Sequence, residues 1–443
     1  MLLGTGTMAY LIPNSEYLSA WQTSKFIGQP EYYYIIYCVL VFCAGAALVS
    51  LCAPKVNPLP GSAVISKLRL PWRALWVTFY LSGILILIAY AIWLKTLLGS
   101  GLSISDLSAG LGGEAGASYD IRAEGDTIPG VTTFVQLEMG MFILGCILIF
   151  RFGWRKTFFT VLVPLGVIFF VAILRSKLWA ERLALIEIGI PVLVLSARLG
   201  IPGGMGWAKR VLLAACPIVA PFIIFLFFAA AEYSRSWLTY YQYRQDSYLN
   251  FVFLRFIGYY ATALNNGAAF VRVMHHYPIP FHTLDWFWRF PPVRSIFPYK
   301  AIANAEPWDD YHDLLVQMAN PEFNNPSGVF VVRLDYGYWG GLFAWFGFGI
   351  VAMLLYRSFL KGSFSGLLLY PFFFIGLLES PRVFYWAAAR GLPTWALLFA
   401  FLLLRLFWLN VQKARPVRQG LFRLSPIRKI GFRPAANIRR RMN

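Results

Sequence analysis

The sequence predicts an all-α polytopic membrane protein, and three observations carry that expectation. Of 443 residues, 58% are hydrophobic and 18% aromatic while only 13% are charged, a balance foreign to a soluble chain with a hydrated surface. The apolar residues fall into long continuous runs, each read as a helix crossing a hydrocarbon core about 30 Å thick. The cations gather in the short segments between the runs. Length alone would suggest two or three soluble domains, but the apolar runs override it.

The spacing predicts nine spans: Tyr32 to Cys52, Trp72 to Leu98, Thr133 to Phe150, Thr157 to Leu174, Leu183 to Ala197, Val211 to Ala231, Trp339 to Tyr356, Ser365 to Leu378 and Leu392 to Leu409. Residues Met1 to Pro13 lack the length and basic start of a cleavable signal, and Trp21 to Glu31 read as an interfacial lead-in. Four regions follow: membrane helices over 1–231, a large aromatic-rich loop over 232–335, further membrane helices over 336–410, and a basic tail over 411–443. Gly99 to Thr132, rich in Gly, Ser and acids, is expected to be a loop without a core of its own. Within the large loop, Phe251 to Met274 has the pattern of a semi-apolar helix.

The connections on one side hold Lys55, Lys67, Arg69 and Arg73, then Arg151, Arg155 and Lys156, then Arg198, Lys209 and Arg210, then Arg357 and Lys361, with no acid among them. The positive-inside rule assigns these and the tail to the cytoplasm, and the large loop to the opposite face. A formal charge of +19 is thereby accounted for by membrane lipid, without nucleic acid. The five cysteines have no metal-ligand spacing and read as packing residues.

The stretch Arg175 to Arg182 then stands out, because it carries three cations on the face where the rule disfavours them. On a helix, Arg175 and Arg182 share a side, roughly 10 Å apart along the axis, and two guanidiniums so placed suit a diphosphate or two neighbouring phosphates. Lys177 has Glu181 four residues on, which offers it a plain ion pair instead. Glu138 and Glu187 are intramembrane carboxylates, read as proton-transfer groups, as partners of nearby arginines, or as a proton pathway of the kind a transporter needs. Asp335 at the mouth of a span is either a helix cap or a general base. Asp309-Asp310-Tyr311-His312-Asp313 matches a magnesium-holding pattern and equally a solvated helix start. His275, His276, His282 and His312 all lie in the large loop without zinc spacing. Its aromatics, among them Trp237, Tyr259, Tyr260, Trp286, Trp288 and Trp308, suit a sugar cleft or an interfacial belt. Arg382 adds a further cation on that face.

Three segments together carry a family resemblance: the hairpin Arg175 to Arg182, the loop stretch Arg255-Phe256-Ile257-Gly258-Tyr259-Tyr260, and Asn325 to Gly341 with its core Asp335-Tyr336-Gly337-Tyr338-Trp339-Gly340. They resemble the Wzy-type oligosaccharide repeat-unit polymerases of O-antigen and exopolysaccharide assembly. The resemblance implies a helical bundle like that of the C-type membrane glycosyltransferases, in the bacterial inner membrane, inverting and independent of metal or other cofactor. The implied substrate is an undecaprenyl-diphosphate-linked oligosaccharide at the periplasmic leaflet, with a chain-length regulator and a flippase as partners. Under it Arg175, Lys177, Arg182, Arg255 and Arg382 would meet the diphosphate, Asp335 or Glu187 would take the acceptor proton, and Tyr259, Tyr260, Trp286 and Arg333 would contact sugar. An O-antigen ligase acting on lipid A core and a flippase or transporter of lipid-linked sugars are the alternatives.

Overall fold

A computed structural model of the chain describes residues 1–114, 116–125, 128, 132–179, 183–200, 207–244, 247–274 and 276–414. Among these residues the secondary structure is helical, with no strand. The principal helices are α1 (Gln29–Cys52), α2 (Trp72–Gly99), α3 (Leu137–Phe152), α4 (Val163–Leu178), α5 (Leu183–Leu199), α6 (Trp207–Glu232), α7 (Tyr248–Val273), α8 (Pro307–Met318), α9 (Gly328–Leu360), α10 (Phe364–Glu379) and α11 (Leu392–Ala414).

Among the described residues, six helical segments are long and apolar enough to cross a membrane: Gln29–Cys52, Trp72–Gly99, Thr133–Phe152, Phe158–Leu178, Gly328–Leu360 and Ala389–Gln412. The chain is thus built as a multi-pass membrane protein. The other three expected spans are helices as well, α5, α6 and α10. At 17 and 16 residues, α5 and α10 measure roughly 25 Å, less than the hydrocarbon thickness.

Local chemistry sets the helix ends. Glu31 accepts the backbone N–H of Gly28 at 2.9 Å to start α1, Ser327 accepts that of Val329 at 3.2 Å to start α9, and Ser363 caps α10. Gly337 has φ 71°, a conformation that favours glycine, and there α9 kinks into a short upper piece and a long lower one.

Among the described residues the helices pack around two large apolar cores and two small ones. One large core joins α2, α3, α4, α5, α10 and α11 through Phe79, Ile143, Ile147, Leu165, Leu195, Leu368 and Leu398. The other large core joins Leu2–Leu11 and Asn14–Trp21 to α1, α7 and α9 through Ala9, Tyr17, Ile35, Leu264 and Phe330. In the most apolar stretch of Thr133–Phe152, 78% of residues are buried, against 17% in α1, so α3 is the central strut while α1 leaves most of its surface for lipid.

The bundle has two unlike ends. At the end where α1, α3, α9 and α11 finish, arginines tie the connections by their carbonyls: Arg198 donates to Phe359 (3.1 Å) and Leu360 (2.6 Å) at the end of α9 and to Leu59 (3.0 Å). The segment between α6 and α9 covers the other end. Its main helix, α7, confirms the predicted semi-apolar helix and is fastened by polar side chains. Asn265 accepts the N–H groups of Phe26 (2.6 Å) and Ile27 (3.1 Å) and donates to Ser24 O, while Arg272 forms a two-pronged ion pair with Glu31 (2.9 and 2.6 Å). The stretch expected to be a coreless loop instead carries two short helices, Ile104–Gly112 and Ala117–Glu124. Ser103 and Asp106 cap the first, and its Gly110 lies against Ile121 and Leu178.

Candidate functional site

A cleft of about 270 Å³ opens at the loop-covered end. Its polar lining comes from two places: His282, Asp285, Arg289 and Trp308 from the segment before α9, and Arg390 from the connection between α10 and α11. Pro326, Val331, Phe384 and Ala388 complete the wall.

Asp335 builds the first half. Its carboxylate is 1% exposed and accepts the backbone N–H groups of His282 (3.2 Å) and Thr283 (2.7 Å) and the Thr283 hydroxyl (2.8 Å). It therefore caps a turn, though not the turn of its own helix: it fixes His282–Leu284 over the top of α9. That turn leads into Asp285–Arg289 and so delivers three lining residues.

The His282 ring is held among Phe270, Phe281 and Trp308, with centroids 5.4 to 5.5 Å away. Burial, helped by the charge of Arg289, pushes its pKa down to about 3, so the imidazole is neutral. Its Nε2 is buried and has no hydrogen-bond partner among the described residues. Asp285 accepts from Trp308 Nε1 at 3.0 Å and pairs with Arg289 Nε at 2.6 Å, while burial raises its carboxyl above the usual carboxylate range. The Arg289 guanidinium lies over Trp308, 4.6 Å from the ring centroid, and is half exposed.

The second half rests on Glu187. Its two oxygens meet Arg390 Nε (2.7 Å) and Nη2 (2.8 Å), and Tyr385 donates to Oε1 at 2.6 Å. Glu187 is 1% exposed and Arg390 is 25% exposed, so the carboxylate is inside and the guanidinium reaches the cleft from it. There is a second cluster of the same composition: Tyr90 donates to Glu138, and Arg175 sits beside the same hydroxyl. Tyr385 also contacts Met139 Sδ at 3.4 Å, next in the chain to Glu138, which places the two Arg–Tyr–Glu clusters side by side. Both buried glutamates are thus engaged with tyrosine hydroxyls, and Glu187 with an arginine.

The remaining expected site residues lie outside the cleft lining. Arg175 is buried, whereas Lys177 is exposed on another face and donates to Leu111 O at 3.0 Å. Arg182 lies outside the described residues, as do His275 and the tail beyond 414. Arg255 is buried between two carboxylates, Glu232 (2.6 Å) and Glu322 (2.9 Å), and three aromatic rings. Arg382 pairs with Glu379 at 3.1 Å, and both charges lie near Tyr260. Tyr259 packs between Phe228 and Phe323, Trp286 packs against Phe287, and Arg333 lies between two tyrosines. Asp309 and Asp310 open α8, where Asp310 accepts from Tyr277 at 3.2 Å. Among the described residues no three His, Cys, Asp or Glu side chains gather as metal ligands.

Sequence reasoning named His282 and Trp308 among many candidates and missed Asp285, Arg289 and Arg390. One signal for Arg390 was present: it shares with Arg382 the connection that the charge asymmetry assigns to the cation-poor face. Compared with protein-family models, curated proteins and solved structures, the chain matches none.

Proposed function

We propose that the chain is a membrane glycosyltransferase acting on lipid-diphosphate-linked oligosaccharides, and that it polymerises repeat units in the manner of the Wzy-type enzymes it resembles. The observation that carries this is the cleft itself. Two guanidiniums, each oriented by a buried carboxylate, face a cavity that also offers an indole and a neutral imidazole. Guanidiniums held in this way stabilise negative charge that develops on a departing diphosphate without having to reorganise. An indole suits the apolar face of a sugar ring.

The reaction proceeds as a single displacement. The acceptor hydroxyl oxygen attacks the anomeric carbon, the bond from that carbon to the diphosphate oxygen breaks, and its electron pair leaves on the diphosphate beside Arg390 and Arg289. The hydroxyl proton passes to His282 Nε2, whose basicity rises once the phosphate charges are in place. Asp335 and Glu187, the expected bases, act here as positioning residues for His282 and Arg390. Inversion follows because Asp285 and Glu187 are both held in ion pairs, leaving neither as the nucleophile of a two-step route. In this proposal α5, α6 and α10 join the six long helices as further spans of a C-type bundle in the bacterial inner membrane. The cation-rich end is cytoplasmic, and the cleft opens to the periplasm.

A histidine in the segment before α9 also favours transfer onto lipid A core, the ligase reading. The glycan profile of cells carrying Arg390→Ala in place of the natural chain separates the two. A surviving single-repeat band without the ladder above it supports the polymerase. Loss of every band supports ligase or flippase, and an unchanged ladder removes Arg390 from the chemistry.

A further inference from the structure

We propose that the upper end of the seam between α1 and α9 binds the phosphate of an anionic bilayer phospholipid, with Arg333 as its anchor. This site is separate from the cleft and does not depend on the glycosyltransferase reading. Arg333 is half-buried, and its guanidinium stacks on Tyr34 (5.0 Å) and Tyr338 (5.3 Å). Those are its only contacts with charge or π-density among the described residues, so its five N–H donors are unspent. The nearest carboxylates by position are committed elsewhere, Glu31 to Arg272 and Asp335 to the turn at 282–283.

A cation without a counter-charge on a membrane helix is costly unless an anion is supplied from outside. Depth indicates the source. Beyond the kink at Gly337, the lower piece of α9 from Tyr338 to Leu360 is about 35 Å long, enough to cross the hydrocarbon alone. Arg333 lies one turn above that piece, and Tyr34 lies a comparable distance from the start of α1, which puts both at head-group level. Exposed Tyr33, Tyr37, Tyr336 and Trp339 surround them, the residue types that settle at a lipid interface. The two flanking tyrosines hold the guanidinium plane still, so its edge presents a fixed fork to phosphodiester oxygens.

The test uses the full chain in non-ionic detergent, with bound lipid counted by native mass spectrometry. The probes are phosphatidylglycerol and phosphatidylcholine of identical acyl chains, soluble glycerol phosphate, and undecaprenyl phosphate. The natural sequence should retain one phosphatidylglycerol about tenfold more tightly than phosphatidylcholine. Arg333→Gln should abolish that preference, Arg333→Lys should lose most of it because a lysine offers no planar fork, and Tyr338→Leu should weaken it severalfold. Arg294→Gln, which removes an exposed cation elsewhere, should leave it intact. Unchanged retention in a monodisperse Arg333→Gln protein overturns the proposal. So does displacement by glycerol phosphate, which would make this a soluble-phosphate site, or by undecaprenyl phosphate at equal concentration, which would assign it to substrate.

Discussion

The seam between α1 and α9 makes a prediction whose sign changes within about half a helical turn. An ideal Cβ built at Gly349 would lie 2.1 Å from the carbonyl oxygen of Phe42, and one at Gly45 would lie 2.2 Å from that of Phe346. The obstacles are backbone atoms, which do not swing aside, so Gly349→Ala must part the helices by about 1 Å to reach ordinary contact. A gap of that size forfeits roughly a quarter to a half of the dispersion energy along the contact, and overpacking of this kind costs about 3 kcal/mol at the upper end of its usual range. Replacing a helical glycine returns about 1 kcal/mol of backbone entropy, which leaves a net loss of roughly 2 kcal/mol. Gly347 is the internal control, because nothing lies within 4 Å of its Cβ position. Gly347→Ala should therefore keep only the favourable term. Thermal unfolding of the two variants in one detergent should separate them by roughly 5 °C, with Gly349→Ala below the natural sequence and Gly347→Ala at or above it. Equal melting temperatures, or the reverse order, would refute close backbone approach as the organising feature of this seam.

Two further outcomes concern the cleft. Glu187→Gln and Arg390→Gln should each destabilise, by about 1–3 kcal/mol once the partial exposure of Arg390 is discounted, and the double variant should cost clearly less than the sum. Additivity within about 0.5 kcal/mol in that thermal cycle would mean that the pair is uncoupled. The second outcome is a pH slope. His282 has its pKa lowered to about 3 in the folded chain from an ordinary 6.5, so the unfolded chain binds the extra proton first as pH falls. Stability from this group is complete above pH 6.5 and is lost progressively from there towards pH 3. His282→Phe should flatten the acid side of the melting-temperature profile between about pH 6.5 and 4, and an unaltered slope would show that other groups set it.

How much of this was legible in the sequence follows from how local each signal is. Apolar runs are contiguous, so the helices and their order could be read directly, and the cation-rich connections at one end were visible as composition. The capping pair Ser103 and Asp106 is equally local, yet the glycines and charges around it mask it when a stretch is read by composition alone. The cleft was not legible, for a physical reason. Glu187 and Arg390 are 203 residues apart, and Asp335 meets the turn at Thr283 across 52. Only packing brings them together, and no spacing rule spans such distances.

The same distance explains why, in the proposed mechanism, the two expected bases take a different role. A buried carboxylate is costly unless its lone pairs are filled, and the cheapest donors in a folded chain are backbone N–H groups and guanidiniums. Asp335 is filled by the former and Glu187 by the latter, which makes each rigid and ill-suited to giving up a bond in order to take a proton. Rigidity is what the neighbouring groups require. With Asp335 fixed, the buried imidazole at the cleft wall keeps one orientation, and with Glu187 fixed, Arg390 does the same. In the proposed mechanism a buried acid therefore marks the neighbourhood of the site more reliably than the reacting atom. The group to seek is the polar side chain that such an acid holds in place at the cleft wall.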